Sequence, residues 1–455
     1  MLVIILGIAV AVLDGTIVNL ALPGIARELN ADPAHAIWVV NAYQIATLGM
    51  LLPLASLGDL FGYRRVYLLG MALFALASLG AILADSLGTL IAARAIQGLG
   101  AAGIMSVNAA LVRLIYPAAG LGRGMAINSM VVATASVAGP SVAAAILSVA
   151  SWPWLFALNL PLGALVLVAG YAALPQNRSA PAVGSRFSLT DVAFNVLMFS
   201  LIFIGADRLG VRSGAAGQGT DPLAWGLLGA GVAVGVLYLL RQRTLAVPLF
   251  PVDLMRLPVF ALSMCASVSA FAAQMLSYIA LPFLLLDHYG RSHLEAGLLI
   301  TAWPLAIVVV APIAGRLIGR VPASVLGGVG MGLMALGLGL LAALPANPSN
   351  IDIVWRMALC GIGFGLFQSP NNHTIVTTAP AHRSGAASGM LGTARLTGQT
   401  LGAVMLAGIF SLWGAHDARG LTVALAVAAV CALLAAVFST LRQRAAGPNA
   451  GSPSR

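Results

Sequence analysis

Leu2-Val3-Ile4-Ile5-Leu6-Gly7-Ile8-Ala9-Val10-Ala11-Val12-Leu13-Asp14-Gly15-Thr16-Ile17-Val18-Asn19-Leu20-Ala21-Leu22-Pro23 opens the chain and holds a single charged side chain, Asp14. A membrane-spanning helix needs about 20 predominantly apolar residues, and this run supplies them. At 1.5 Å per residue Asp14 lies about 18 Å beyond Leu2, near the middle of a hydrocarbon core about 30 Å thick. An acid at that depth costs roughly 2.5–3.5 kcal/mol on insertion scales, so it is expected to face a water-filled cavity and to take up a proton or a cation. A carboxyl holds its proton more tightly when desolvated and less tightly beside a cation, so a site that moves between the two can load and release it. A structural Asp, hydrogen-bonded to a neighbouring helix, is the other reading of the same residue.

The rest of the chain is of the same kind. Of 455 residues 60% are apolar and 8% charged, where a soluble domain carries about 25% charged. Irregular backbone is not tolerated against lipid, and a barrel would show alternating segments of about ten residues, so the expected fold class is all-α, a polytopic membrane helix bundle. Fourteen spans are read near Leu2–Pro23, Ile37–Leu57, Val66–Leu83, Leu87–Ile115, Ala126–Val149, Trp154–Leu174, Leu189–Ala206, Pro222–Leu240, Val259–Leu286, Ala296–Leu317, Ala323–Leu344, Ile353–Thr378, Ala386–Leu412 and Leu421–Leu441.

Lysine is absent, so arginine sets the orientation. With a cytoplasmic amino terminus, fifteen arginines fall in inner loops and tail, and five (Arg27, Arg208, Arg212, Arg291, Arg419) in outer loops. That bias follows the positive-inside rule and places both termini in the cytoplasm of an inner (plasma) membrane protein. It also accounts for the net charge of +10 without a nucleic-acid partner, because dispersed loop arginines form no phosphate groove. Cys265, Cys360 and Cys431 lie within spans as small core hydrophobes, and the six scattered histidines have no metal-ligand spacing, so no metal site is expected. The start at Met1 lacks a basic leader and a small-residue cleavage site, and reads as span one rather than a signal peptide.

The two ends of the chain echo each other. Pro53 and a turn ending in Arg64-Arg65 close one span, as Pro312 and a turn ending in Arg320 close another; Arg94 with Gly98 and Gly100 is echoed by Arg356 with Gly361, Gly363 and Gly365. A duplicated bundle places its substrate near the midplane between repeats. The expected units are therefore an N-terminal six-helix bundle over residues 1–174, cytoplasmic linkers with two inserted helices over 175–258, a C-terminal six-helix bundle over 259–441, and a disordered tail over 442–455.

Several motifs occur in fixed order. They are Leu13-Asp14-Gly15-Thr16-Ile17-Val18-Asn19 in span one, Trp38 to Tyr43 in span two, and Ala55-Ser56-Leu57-Gly58-Asp59-Leu60-Phe61-Gly62-Tyr63-Arg64-Arg65 in the turn that follows. Next come Arg94-Ala95-Ile96-Gln97-Gly98-Leu99-Gly100, Gly139-Pro140, the stretch from Trp152 through Asn159 to Gly163, and, in the later half, Arg383-Ser384-Gly385 through Gly392-Thr393-Ala394-Arg395. Together they resemble the signatures of the major facilitator superfamily, and the fourteen spans with the Asp14 motif resemble its drug:proton antiporter-2 branch, the exporters with two extra central helices. The resemblance covers nearly the whole chain. Ala55 and Leu60 depart from it in the turn, where the family usually has Gly and often a basic residue; Ala143 and Ala144 depart in span five. Ala in place of Gly keeps a small helix face, whereas Leu60 leaves open one inner-gate contact that the resemblance implies.

The resemblance implies proton transfer at Arg94, whose own chemistry allows either pairing with Asp14 or bracing of a neighbouring span. Asp59, Gly62, Arg64 and Arg65 form a tight inner turn; Asp59 is expected to pair with Arg113 and to face the positive amino terminus of a helix in the other half, closing the inner side. Arg64 and Arg65 read equally well as topology anchors. Gly139 and Pro140 permit a bend and close helix approach, and the resemblance makes them an antiporter motif. Candidate cavity residues are Asn41, Tyr43, Gln97, Gln274, Tyr278, Trp303, Gln368, Asn371 and Asn372, each also able to serve as an interhelical bond or packing group.

The function expected is proton-coupled export of lipophilic, cation-bearing or neutral, compounds by alternating access, with the lipid bilayer, small molecules and protons as partners. No catalytic residue and no cofactor are expected: a phosphate loop ending in Lys-Ser or Lys-Thr is missing, so the proton gradient is the energy source. A narrow exporter of one metabolite or antibiotic is the first alternative and a membrane-embedded enzyme the second. The sequence carries no signal for an oligomeric state.

Overall fold

The computed structural model describes residues 1–18, 21–30, 36, 38–176, 187–214, 222–245, 248–345, 347–413 and 418–445. The linker at 177–186, the tail at 446–455, Asn19, His35, His416 and the side chain of Pro140 lie outside the described residues. Fourteen long helices are named here in chain order: α1 (Leu2–Ile17), α2 (Trp38–Phe61), α3 (Tyr63–Ile82), α4 (Leu87–Ile115), α5 (Leu121–Leu147) and α6 (Pro153–Ala173) come first. Then follow α7 (Leu189–Gly214), α8 (Pro222–Gln242), α9 (Pro258–Phe283), α10 (His293–Leu317), α11 (Ala323–Ala342), α12 (Asn350–Thr378), α13 (Ser384–Trp413) and α14 (Ala418–Ala445). Among the described residues 11 helices are long and apolar enough to cross a bilayer, α1 is a shorter apolar helix, and no strand is formed. Large apolar side chains such as Leu69, Leu76, Val168, Leu237, Leu336 and Leu433 are exposed around the outside, as a lipid-facing surface requires.

Local chemistry sets the helix ends. Ser86 caps α4 and Ser292 caps α10 in reciprocal capping boxes with Thr89 and Glu295, and Ser349 accepts from the Asp352 amide at the start of α12. Several boundaries differ from the sequence expectation, and two of them have a visible cause. The first span does not run unbroken to Pro23: α1 ends at Ile17 and a short helix, Leu22–Glu28, begins with Pro23 in its first turn, where a missing N–H costs nothing. At the other end α14 continues past Leu441 to Ala445, because the Arg442 guanidinium is buried and donates to Asn371 Oδ1 at 2.6 Å and Ser263 Oγ at 3.0 Å.

The first six helices pack on one another around an apolar cluster that includes Tyr67, Phe74 and Ile104, and α9–α14 pack around another that includes Leu276, Trp303, Met334 and Phe364. The internal echo has a structural counterpart. A Cβ on Gly98 would strike the Tyr43 carbonyl of α2, and a Cβ on Gly361 would strike the Trp303 carbonyl of α10; Gly100 and Gly363 sit just as tightly on the backbones of α3 and α11. Gly98→Ala and Gly361→Ala are each expected to cost about 1–3 kcal/mol through forced backbone separation, read as a lower melting temperature in detergent. An unchanged melting temperature for both would mean that these contacts are not close packing.

The two sets of helices meet where α2 and α4 touch α13, and where α5 touches α10 and α12. The α7–α8 hairpin, expected as an insertion between the two bundles, packs through α7 on α2 and α13 together, and Asn195 of α7 donates to the Gly49 carbonyl of α2 at 2.7 Å. Buried Asn and small helix faces allow that approach, and hydropathy alone carries no sign of it.

Candidate functional site

Asp14 and Arg94 meet in the interior of the first six helices, with Arg94 Nη1 2.5 Å from Asp14 Oδ2 and both side chains fully shielded. The remaining carboxylate oxygen, Oδ1, accepts from Asn159 Nδ2 at 2.7 Å and Gln97 Nε2 at 3.0 Å. Ser78 Oγ accepts from Gln97 at 2.8 Å and from Asn159 at 3.3 Å, and donates to the Phe74 carbonyl. Arg94 also donates to Gln97 Oε1 at 2.6 Å and through Nε to the Val39 carbonyl at 3.1 Å, while its Nη2 has no partner. Both readings of Arg94 therefore hold at once: it pairs with Asp14 and braces α2. Its guanidinium lies 4.3 Å from the Tyr43 ring centroid and 5.6 Å from that of Phe156, a cation covered by two aromatic faces.

The spacing explains the assembly. Arg94 and Gln97 are three residues apart on α4 and so share a face, which α1 meets with Asp14 and α6 with Asn159. Asn159 and Ser78 escaped the sequence reading; Asn159 stood inside the quoted stretch from Trp152 to Gly163, and its amide among apolar neighbours was the available signal.

The turn after α2 closes the arginine-rich end. Gly62 holds φ at 105°, a backbone region that favours glycine. Asp59 does not pair with Arg113. It accepts from the backbone amides of Gly385 at 2.8 Å and Ala386 at 3.1 Å, and from Tyr63 Oη at 2.7 Å, so it caps the amino terminus of α13. Arg113 donates instead to the carbonyls of Val376 and Ala379 at 2.7 and 2.9 Å and to Ser384 Oγ at 2.9 Å. Both side chains thus cross to the later half, side by side rather than to each other, because the open amides and carbonyls there are closer partners. Arg64 donates to the Tyr171 carbonyl and covers its ring, and Arg65 is exposed. Arg383 grips Asp253 with two bonds of 2.8 and 3.0 Å, a pair that the sequence reading missed. On α5, Gly139 lies directly against Thr16 of α1, and the helix continues across Pro140.

Beyond this closure a cavity of about 70 Å³ lies between the halves, with walls from α1, α4, α5, α9, α12 and α13. Of the nine candidate cavity residues, Gln368 and Asn372 line it. Gln97 belongs to the Asp14 network, and Tyr43, whose hydroxyl donates to the Ala11 carbonyl at 2.9 Å, covers Arg94. Asn371 is bound to Ser267 and Arg442, Tyr278 stacks edge-on against Trp303 at 5.2 Å beside Gln274, and Asn41 is buried away from the cavity wall. The sequence reading missed Asn108, Asn128, Ser129, Ser388 and Arg395, all on the wall.

Comparison with known proteins gives a consistent picture. The family model described as "Major Facilitator Superfamily" matches residues 4–403 and 262–454. The chain is 53% identical to "Uncharacterized transporter YebQ" of Escherichia coli (strain K12) over 441 residues, which is 97% of this chain and 94% of that protein. It is 30% identical to "Multidrug resistance protein Stp" of Mycobacterium tuberculosis (strain CDC 1551 / Oshkosh) over 411 residues, 90% of this chain and 75% of the relative. In fold it resembles the solved proton:xylose symporter XylE with a TM-score of 0.68 and 15% identity, covering 96% of this chain and 94% of that one.

Proposed function

The chain belongs to the Major Facilitator Superfamily, a family of membrane transporters rather than enzymes, and on that premise we propose that it exports lipophilic small molecules from the cytoplasm in exchange for protons. The observation that carries the reading is Asp14, a carboxylate in the last turn of α1 closed in by Arg94, Gln97 and Asn159. An ionised pair in such surroundings is stable only while all its partners are in place, so a helix movement that withdraws one of them favours protonation of Asp14. Coupling then needs only that the two openings of the cavity hold Asp14 in different surroundings.

The arginine-rich end is read as cytoplasmic, so the arrangement closed by Asp59 and Arg113 is the outward-facing one. Protonation from the outside and release inside would drive the return. Similarity to a multidrug resistance protein supports a broad substrate range. The test is accumulation of chemically unrelated dyes in cells stripped of their own pumps: expression is expected to lower accumulation of several classes, and a protonophore to restore it. A response confined to one class would favour a narrow exporter, and accumulation unchanged for all of them would contradict export.

A further inference from the structure

Arg395 sits midway along α13 and faces the cavity, half-buried. Its guanidinium is charged at every physiological pH, and a cation at membrane depth is costly unless something compensates it. Other buried arginines here are compensated: Arg94 by Asp14, Arg383 by Asp253, and Arg442 by Asn371, Ser263 and Ser439. Arg395 has no hydrogen-bond or ion-pair partner among the described residues, and no carboxylate lines the cavity. The deep carboxylate, Asp14, is spent on Arg94 and lies off the cavity wall.

The neighbouring wall is polar in a matching way. Ser129 is 2% exposed and Asn108 4% exposed; both line the cavity, and Ser129 Oγ and Asn108 Oδ1 have no partner. Buried polar atoms left open call for a partner, and on a cavity wall a water or a group arriving from outside the chain can supply it. Across the cavity Gln368 and Asn372 add amide groups, while Ile8, Val132, Phe271 and Leu391 supply an apolar surface.

Resting on the export reading above, we infer that the cavity takes the anionic group, such as a carboxylate or sulfonate, of an amphipathic, largely apolar molecule, seated on Arg395. The planar guanidinium fork matches such a group bidentately, and Ser129 and Asn108 complete the polar end of the site. A cationic substrate, one of the two kinds expected from sequence, would meet an uncompensated positive charge with no carboxylate to receive it.

Fluorescein and rhodamine 6G share a xanthene core, the first with a free carboxylate and the second a cationic ester. Binding of each to the purified full chain in detergent is read by fluorescence anisotropy. Fluorescein is expected to bind at least about tenfold more tightly than rhodamine 6G, Arg395→Gln to erase the preference, and Arg395→Lys to keep part of it. The comparison in the parent protein stands whether or not either variant folds. Equal or tighter binding of rhodamine 6G, no binding of fluorescein, or a preference that survives Arg395→Gln would each overturn the anionic site. Uptake of the same dyes into energised everted vesicles separates the two readings. Arg395-dependent binding without uptake would keep the anionic site and remove export, whereas uptake of rhodamine 6G alone would keep export and remove the anionic site.

Discussion

Asp14→Asn is expected to reduce gradient-driven transport to background, a loss of at least about a hundredfold, because the replacement keeps the size of the side chain and its hydrogen-bonding oxygen but cannot exchange a proton. The structure adds a second consequence. Arg94 would stay buried with its counter-charge removed, and breaking such a pair from one side costs about 3–5 kcal/mol. A lower melting temperature should therefore accompany the loss of transport. Adding Arg94→Gln removes the stranded charge, so the double variant should recover stability but not transport. If Asp14→Asn transports at the parent rate under a pH gradient, the carboxylate is structural only.

The second large effect is expected at the arginine-rich end. Asp59 accepts two backbone amides of α13 and the Tyr63 hydroxyl, all across or beside the junction of the halves. Charge-assisted bonds contribute about 1.5–3 kcal/mol each, so Asp59→Ala should move the balance between the two openings by at least about tenfold toward the form open at this end. Spin labels at Ala119 and His382, both exposed there, report the change. A longer distance population should grow in Asp59→Ala and less so in Tyr63→Phe. An unchanged distance distribution in Asp59→Ala would show that the closure is held elsewhere, with Arg113 and its three acceptors as the next candidate.

Bundle architecture was readable from the sequence because bilayer thickness dictates long apolar runs, and Asp14 stood out as the one charge in the first of them. Side-chain direction was less readable. Helices surrounded by lipid and by other helices are apolar on all sides, so a polar residue gives no periodic clue to the face it occupies. Asn371 and Asn372 make the point: successive residues lie about 100° apart around a helix, and one binds Arg442 while the other faces the cavity. Asp59 and Arg113 were both recognised as closing residues, yet opposite charge suggested a pair where the open helix terminus and carbonyls of the other half were the nearer partners. Arg395 lay at the end of a quoted motif, where it read as part of a family signature; only its lack of a partner among the described residues exposes it.

The central claim is that export is driven by proton exchange at Asp14, and everted membrane vesicles energised by respiration test it most directly. Their interior is acid and positive; once valinomycin and potassium remove the potential, passive distribution excludes a weak acid such as fluorescein, and its accumulation there requires active transport. The account predicts uptake of the dye that the parent protein binds, collapse of that uptake on adding a protonophore, and no uptake in vesicles carrying Asp14→Asn. Uptake that survives dissipation of the gradient, or that proceeds at the parent rate with Asp14→Asn, would contradict it.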